Sequence, residues 1–485
     1  MRKGFILKAE KQKNSELKNI SPKLKGWKAP VEGFKLIAPL DHRLSDGKGA
    51  HLPVLQEIGD GLTTIAWDSW CSINPRTMKK LGLERHQMVE IEGPGGKFEV
   101  AVYPLPGVHE SSLVVHRGNG SKNKRSTVSY ENGVNPLVAF AQEVDPLTSL
   151  PQTSNVPVSI KPLDKHHRLA VMQKKNDLDG RKDILKKYLL EEAKKLSLQD
   201  LDDVPDVFPK LEDAEYRWGM AIDLDRCNGC GACMAACNIE NNVPQVGQKE
   251  IVMGREMHWL RMDRYFSGDV DKPNVSFQPV MCQHCNHAPC EAVCPVYATA
   301  HDPEGLNAMT YNRCVGTRYC ANACPYKVRR FNWWTYKWSE MGDKQFQRNP
   351  RAMNPDVTVR TRGVMEKCSM CVGRIREAKH EAKKEGRKVK DGEIKTACQQ
   401  TCATDCITFG RLDDLNSRVS RARRNGRSFL MLGGEPRHHH YGLKTLPNVS
   451  YLAKVVTPGS REEKEILKTK KKKYGDSHGG SSEHH

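Results

Sequence analysis

Sixteen of the seventeen cysteines in this chain fall between Cys227 and Cys406, and only Cys71 lies outside that stretch. The gaps are short and regular, so neighbouring thiols share one tight loop and point at a common centre, where a disulfide to a distant partner is awkward. A metal centre suits such crowding better. The first group, Cys227, Cys230, Cys233 and Cys237 in "RCNGCGACMAAC", has the C-x2-C-x2-C-x3-C spacing of a bacterial ferredoxin run. Three thiolates on one loop can take three irons of a cube, and the fourth, on the helix that follows, faces a neighbouring cluster. Gly229, Gly231 and Ala232 let the backbone come close and aim N–H groups at the sulfides. A zinc ion needs four ligands and no glycine-lined loop, so zinc fits the pattern less well.

The second group, Cys282, Cys285, Cys290 and Cys294 in "CQHCNHAPCEAVCP", is C-x2-C-x4-C-x3-C. Two extra residues enlarge its loop without removing a ligand. His284 and His287 sit among these thiols and read as surface or hydrogen-bonding residues, since four thiolates already complete a cluster. In the third group, "RCVGTRYCANACP", Cys314, Cys320 and Cys324 keep their places, but Thr317 stands where a second cysteine belongs. A threonine hydroxyl does not ionise near neutral pH and is a poor iron ligand, so the expectation is a 3Fe-4S cluster. The competing reading keeps a fourth iron on water, hydroxide or a neighbouring carboxylate. The fourth group is split: Cys368 and Cys371 are separated from Cys398 and Cys402 by a charged insertion of 26 residues that reads as helix and turn. Cys406, four residues past Cys402, and Cys71 read as small buried side chains outside the ligand set. No CxxCH occurs, which argues against covalent haem.

These groups must be carried by folded domains, and 485 residues suffice for two or three. Residues 1–35 form a basic N-terminal extension with neither a secretory apolar segment nor a twin-arginine pair. Residues 36–160 turn apolar; "MVEIE" and "KFEVAVY", separated by Gly93, Pro94, Gly95 and Gly96, predict a hairpin in a small β domain. Residues 161–214 read as a helical linker, because Ile184, Leu185, Tyr188, Leu189 and Leu196 recur at helical spacing. The cysteine groups fill 215–410. Residues 411–485, rich in Arg and Lys, read as an extended basic arm that packs on a partner and frays at its end.

Hydrophobic residues make up 38% of the chain, its mean hydropathy is −0.65, and no run approaches the roughly eighteen apolar residues of a spanning helix. The expectation is a soluble chain. A formal charge of +19 fits nucleic acid, an anionic membrane surface or an acidic partner equally well, and a solvated basic surface as well as any of them. A basic nucleic-acid-binding protein usually carries one cluster and not four, so no nucleic-acid partner is expected. Neither a phosphate loop nor a nucleophile-base pair appears, which leaves electron transfer as the work of the clusters.

The strings "GMAIDLDRCNGCGACMAACNIENNVP", "GREMHWLRMDRYF", "CQHCNHAPCEAVCPVYATAHDPEGLNAMTYNRCVGTRYCANACPYKVRRFNWW" and "NPDVTVRTRGVMEKCSMCVGRI" cover most of residues 215–410. They resemble the multi-cluster electron-transfer subunits that accompany molybdopterin oxidoreductases, in particular the iron-sulfur subunit of alternative complex III, a bacterial quinol oxidoreductase. The string "HLPVLQEIGDGLTTIAWDSWCSINPRTMKKLGLERHQMVEIEGPGGKFEVAVYPLPG" is similar to the terminal β-barrel domain of a molybdopterin oxidoreductase. The resemblance implies an α+β fold: tandem ferredoxin-like 4Fe-4S domains preceded by that small barrel, as the C-terminal half of a split subunit.

It also implies the pairing of ligands. Cys227, Cys230, Cys233 and Cys402 would hold one 4Fe-4S cluster; Cys368, Cys371, Cys398 and Cys237 a second; Cys282, Cys285, Cys290 and Cys324 a third. Cys314, Cys320 and Cys294 would hold the 3Fe-4S cluster, with Thr317 at its vacant corner. Ala403 stands where the family usually has proline. No molybdenum cofactor is expected on this chain. The implied partners are a molybdopterin-oxidoreductase-like large chain, a polytopic quinol-binding membrane subunit and c-type cytochromes. The implied work is relay of electrons from quinol toward a c-type cytochrome or terminal oxidase; the alternative is an electron-transfer subunit of a molybdenum-dependent reductase or dehydrogenase. The implied place is the periplasmic side of the inner membrane, reached by export with a signal-bearing partner.

Overall fold

The cysteine-rich half of the chain hangs on one mixed sheet whose register brings distant cysteines together. The fold, taken from a computed structural model, is described for residues 33–122, 132–141, 153–181, 183–201, 215–334, 352–433 and 442–475. Trp218–Asp223 is its central strand, antiparallel to Ile407–Arg411 and parallel to Val449–Leu452, with Ser428–Phe429 completing four strands. Because Ile222 lies opposite Ile407 and Asp223 N–H donates to Cys406 O at 2.8 Å, the chain around Cys402–Cys406 lies beside the loop that starts at Cys227. Trp218 is stacked between Tyr216 and Phe409, with ring centroids 5.4 and 5.7 Å away, and this aromatic stack fills the sheet's buried face.

The N-terminal half forms a closed six-stranded barrel in the order Phe34–Ile37, Ser112–Val115, Trp70–Ile73, Gly96–Pro104, Gln87–Gly93, Val156–His166, the last strand pairing back to the first. The predicted hairpin is present, with Gly93 opposite Gly96. Alternation points Val89, Ile91, Val100 and Val102 inward, where Leu36, Cys71, Leu113 and Val115 meet them. Cys71 is a fully buried barrel residue, apart from the other cysteines, and burial pushes its thiol up to about 12.

Two expectations fail. Among its described residues, the linker expected to be helical over 161–214 is instead the end of a barrel strand, a short strand Ala170–Val171 paired with Ile65–Ala66, a short strand Lys187–Leu189 paired with Lys454–Val456, and one helical turn, Leu190–Lys194. Leu185 and Leu189 are buried as their spacing suggested, but strand pairing with a distant C-terminal segment overrides the helical periodicity. The described residues of the arm expected to be extended over 411–485 are folded into a helix Arg418–Arg423, two strands of the main sheet and a helix Arg461–Gly475, and the expected frayed end, residues 476–485, lies outside the described residues. Val449, Tyr451 and Val456 are buried, as are Val419, Phe429 and Met431, while Leu415 and Leu443 are exposed. The insertion between Cys371 and Cys398 is the expected helix, Val372–Lys384. The N-terminal extension up to residue 32 lies outside the described residues.

Barrel and cluster region are clamped by buried polar groups. Glu57, with no exposed surface, accepts from Val246 N–H at 2.8 Å, Gly247 N–H at 2.9 Å and Trp67 Nε1 at 2.9 Å. Arg264, 1% exposed, reaches from the Arg261–Gly268 strand to the carbonyls of Leu62 and Thr63 and to Gln173. Asn74 donates to Asp271 Oδ1 at 2.9 Å. Glu57→Ala strands three buried donors and is expected to destabilise the chain by about 3 kcal/mol, since each unsatisfied group costs roughly 1–3 kcal/mol. Glu57→Gln is expected to cost less; chemical unfolding of the two variants measures the difference.

Candidate iron-sulfur centres

Helix Ala232–Glu240 carries Cys233 and Cys237 one turn apart, and its N-terminus sits on a loop that glycine alone fits. Gly229 and Gly231 have φ of +75° and +76°. A Cβ at Gly229 would run into the Phe277 ring. The loop is thus pressed between the cysteine region and the Arg261–Val280 hairpin, which holds the thiols of Cys227, Cys230 and Cys233 toward one centre.

The thiols form four neighbourhoods. Burial first, then the neighbouring thiols of Cys398, Cys227, Cys230 and Cys402, pushes the Cys233 thiol well up. Cys237 faces Cys368, Cys371 and Cys398, and again burial leads and the neighbouring thiols add to it. Cys285 faces Cys282, Cys290 and Cys324. Cys320 faces Cys314 and Cys294. The short helix Ala397–Gln400, which carries Cys398 and is followed by Cys402, packs on Ala232–Glu240 with its Cys233 and Cys237. Cys290 and Cys294, four residues apart, divide between the last two neighbourhoods.

Two neighbourhoods line small gaps of about 10 Å³ each. One is lined by Cys237, Cys368, Cys371 and Cys398 with Met220, Leu260, Met281 and Met370. The other is lined by Cys294, Cys314, Cys320 and Thr317 with Met309 and Met365. Thr317 is exposed, so the side of this gap without a cysteine faces outward. Among the described residues no three His, Cys, Asp or Glu side chains converge closely enough to hold a single metal ion.

Donors aim at the sulfurs. Ala397 N–H reaches Cys371 Sγ at 3.4 Å, Met370 N–H reaches Cys368 Sγ at 3.4 Å, and Asn241 Nδ2 reaches Cys237 Sγ at 3.7 Å. Ala298 N–H lies 3.2 Å from Cys294 Sγ and Met365 N–H 3.4 Å from Cys314 Sγ. Burial pushes the Cys294 thiol up, but N–H groups of residues 296–299 outweigh it and hold the thiol low. Hydrogen bonds hold Cys227 and Cys402 low as well, whereas burial wins at Cys398, pushed up to about 12, and Cys290, pushed up to about 11. Such an array becomes thiolate only when positive charge enters it, and iron in a cluster core supplies that charge. The donor set and the amides aimed at it fit iron-sulfur clusters.

Several participants carry no spacing signal. His284, expected as a surface or hydrogen-bonding residue, is fully buried: its Nε2 lies 3.1 Å from Cys368 O and its Nδ1 accepts from Asn307 N–H at 3.1 Å. Burial, then the Lys367 charge, holds it neutral. His287 is partly exposed and its Nδ1 lies 3.1 Å from Lys444 O. Lys367, 2% exposed, donates to Cys368 O at 3.0 Å and to Asn307 O. Cys406 is buried as expected, and its Sγ also lies 3.4 Å from Cys402 Sγ and hydrogen-bonds Cys227. Gly229→Ala is expected to lower iron per chain through the Phe277 clash and left-handed strain of about 1 kcal/mol. Adding Phe277→Ala should restore part of the iron, measured by iron assay of both variants.

Residues 226–298 and 273–359 each match a family described as a 4Fe-4S dicluster domain, and residues 60–157 match a molybdopterin dinucleotide binding domain. The chain is 37% identical over 250 residues to the menaquinone reductase iron-sulfur cluster-binding subunit of Nitratidesulfovibrio vulgaris, covering 50% of this chain and 91% of that one. It is 34% identical to the Hdr-like menaquinol oxidoreductase iron-sulfur subunit 1 of Archaeoglobus fulgidus, over 43% of this chain and 76% of the relative. It is 29% identical to the arsenate respiratory reductase iron-sulfur subunit of a Shewanella strain, over 42% of this chain and 86% of the relative. Among solved structures, acetylene hydratase from Pelobacter acetylenicus matches at 16% identity and a TM-score of 0.23, over 27% of this chain and 18% of its own length, too slight a likeness to bear on the fold. With its barrel matching a molybdopterin dinucleotide binding domain and its cysteine groups matching tandem dicluster domains, the chain belongs to the iron-sulfur subunits of the molybdopterin oxidoreductase family.

Proposed function

We propose that the chain is the electron-relay subunit of a membrane-associated quinol oxidoreductase of the alternative complex III type, taking electrons from quinol toward a c-type cytochrome or terminal oxidase. The observation that carries this reading is the contiguity of the four thiol groups. The first two share the helix Ala232–Glu240, the last two share the segment Cys290–Cys294, and the second and third are joined through Cys368 O and His284. Two relatives named for menaquinone or menaquinol oxidoreductases support it.

In this reading Cys227, Cys230, Cys233 and Cys402 hold the first 4Fe-4S cluster. Cys237, Cys368, Cys371 and Cys398 hold the second, and Cys282, Cys285, Cys290 and Cys324 the third. Cys294, Cys314 and Cys320 hold a 3Fe-4S cluster, with exposed Thr317 at its open corner. Each cluster supplies one-electron transfer, with a potential set by its type, hydrogen bonds and exposure. The chain's own residues hold the thiolates, direct amides at them and keep water from the buried groups. No helix of the described residues is long and apolar enough to cross a membrane, so a polytopic quinol-binding subunit would supply the quinol site. A molybdopterin-oxidoreductase-like chain would dock on the barrel, c-type cytochromes would accept electrons, and a signal-bearing partner would carry the chain to the periplasmic side.

The relative named for arsenate respiratory reduction favours a second reading, an electron-transfer subunit of a molybdenum-dependent reductase. Metal analysis of the purified complex separates the two: no molybdenum with clusters reducible by a menaquinol analogue supports the first, and stoichiometric molybdenum overturns it. Protease accessibility in spheroplasts tests the location, since cleavage from outside is expected and full protection contradicts it. Thr317→Cys is expected to add about one iron per chain and abolish an oxidised three-iron EPR signal.

A further inference from the structure

Between the third and fourth thiol groups lies a buried guanidinium. Arg329 is 5% exposed, and its Nη2 donates to Cys290 Sγ at 3.1 Å, to Thr299 Oγ1 at 2.6 Å and to Asn307 Oδ1 at 2.8 Å. Its Nη1 lies 3.9 Å from Met309 Sδ. Arg329 and the Cys320 thiol also lie close enough to interact electrostatically. Cys290 belongs to the third neighbourhood and Cys320 to the fourth, so one cation bonds a thiol of the third and acts on a thiol of the fourth.

The charge on Arg329 is balanced by sulfur. Burial works against it, and Cys290, Cys282 and Cys320 outweigh burial and hold the guanidinium firmly protonated. A buried guanidinium is strongly disfavoured without an anionic partner, and the groups that supply the anion here are cluster thiolates. Thr299 and Asn307 fix the fork's direction, and Asn307 is fixed in turn by Glu291 and by its own N–H bond to His284. Arginine does not deprotonate in proteins, so this charge is constant over the working pH range. In a buried, poorly screened site a fixed positive charge favours whichever state of its neighbour is more negative.

We propose that Arg329 is a shared positioning residue that raises the reduction potentials of the third and fourth iron-sulfur centres together. The proposal rests on the reading of these two thiol groups as cluster ligands. Each centre takes up one electron, from dithionite in the experiment below, and so gains one negative charge. No bond forms or breaks, and the guanidinium keeps its proton. The first and second centres, whose thiols Arg329 does not touch, are outside its reach.

The test is an EPR-monitored redox titration of the anaerobically purified complex carrying wild-type chain, Arg329→Gln or Arg329→Lys, with iron quantified in each. In Arg329→Gln two centres are expected to shift to lower potential while the other two stay in place. In Arg329→Lys, which keeps the charge but loses the fork, both should shift less. A shift confined to one centre, a shift of all four, or no shift with full iron content would overturn the proposal. Should Arg329→Gln lose iron, Arg329→Lys decides: full iron with both potentials nearer wild type upholds a charge effect, and loss of iron there too makes Arg329 a structural brace. A wild-type complex with fewer than two reducible centres would instead sink the cluster reading itself.

Discussion

The constraint on which this structure depends is the burial of thiolate charge. Cys233, Cys237, Cys285, Cys290 and Cys398 lie in the interior, most of them among other thiols, and the protein around them favours the neutral form. Only an iron core, with amides and a few fixed cations in support, makes such an interior electrostatically tolerable. That requirement accounts for features that otherwise look unrelated. It explains the left-handed glycines at 229 and 231, the N–H groups aimed at Cys294, Cys314, Cys368 and Cys371, and the buried Arg329 and Lys367. It also suggests that folding of this half is coupled to cluster insertion, as for other metal-bound domains.

Bringing the thiols together is a matter of strand register. Cys402 and Cys227 are far apart in sequence, and they meet because Trp218–Asp223 pairs antiparallel with Ile407–Arg411 so that Asp223 N–H meets Cys406 O. A slip of one residue would turn Trp218 and Phe409 out of their stack, so the aromatic core enforces the register that the ligands need. The pairing of Arg330–Phe331 with Met365–Glu366 does the same for the later groups, delivering Met365 N–H to Cys314 Sγ. The barrel is tied to this arrangement through Glu57 and Arg264, whose bonds cross from one half of the chain to the other.

Short-range chemistry was readable from the residues alone. The cysteine spacings, the threonine at 317 in a cysteine's place and the hairpin at Gly93–Gly96 are local patterns, and the hairpin is present with Gly93 opposite Gly96. What escaped was non-local. Lys187–Leu189 has helical periodicity yet pairs with Lys454–Val456, and the Arg-rich C-terminal stretch hides Val449–Leu452, a strand of the main sheet. Arg329 and Lys367 carry no motif, since a basic residue after a cysteine group reads as surface until the fold buries it. His284 is the same lesson in a histidine: sequence offered surface or hydrogen bonding, and only the packing between Cys368 O and Asn307 N–H decided.

The central proposal is that this interior is built around four iron-sulfur centres, one of them short of an iron. Iron quantified per chain in the anaerobically purified protein, with low-temperature EPR as isolated and after dithionite, tests it most directly. The account predicts about fifteen irons, from three four-iron clusters and one of three irons, and an oxidised signal of the three-iron type that reduction removes. About four irons or fewer per chain would contradict it.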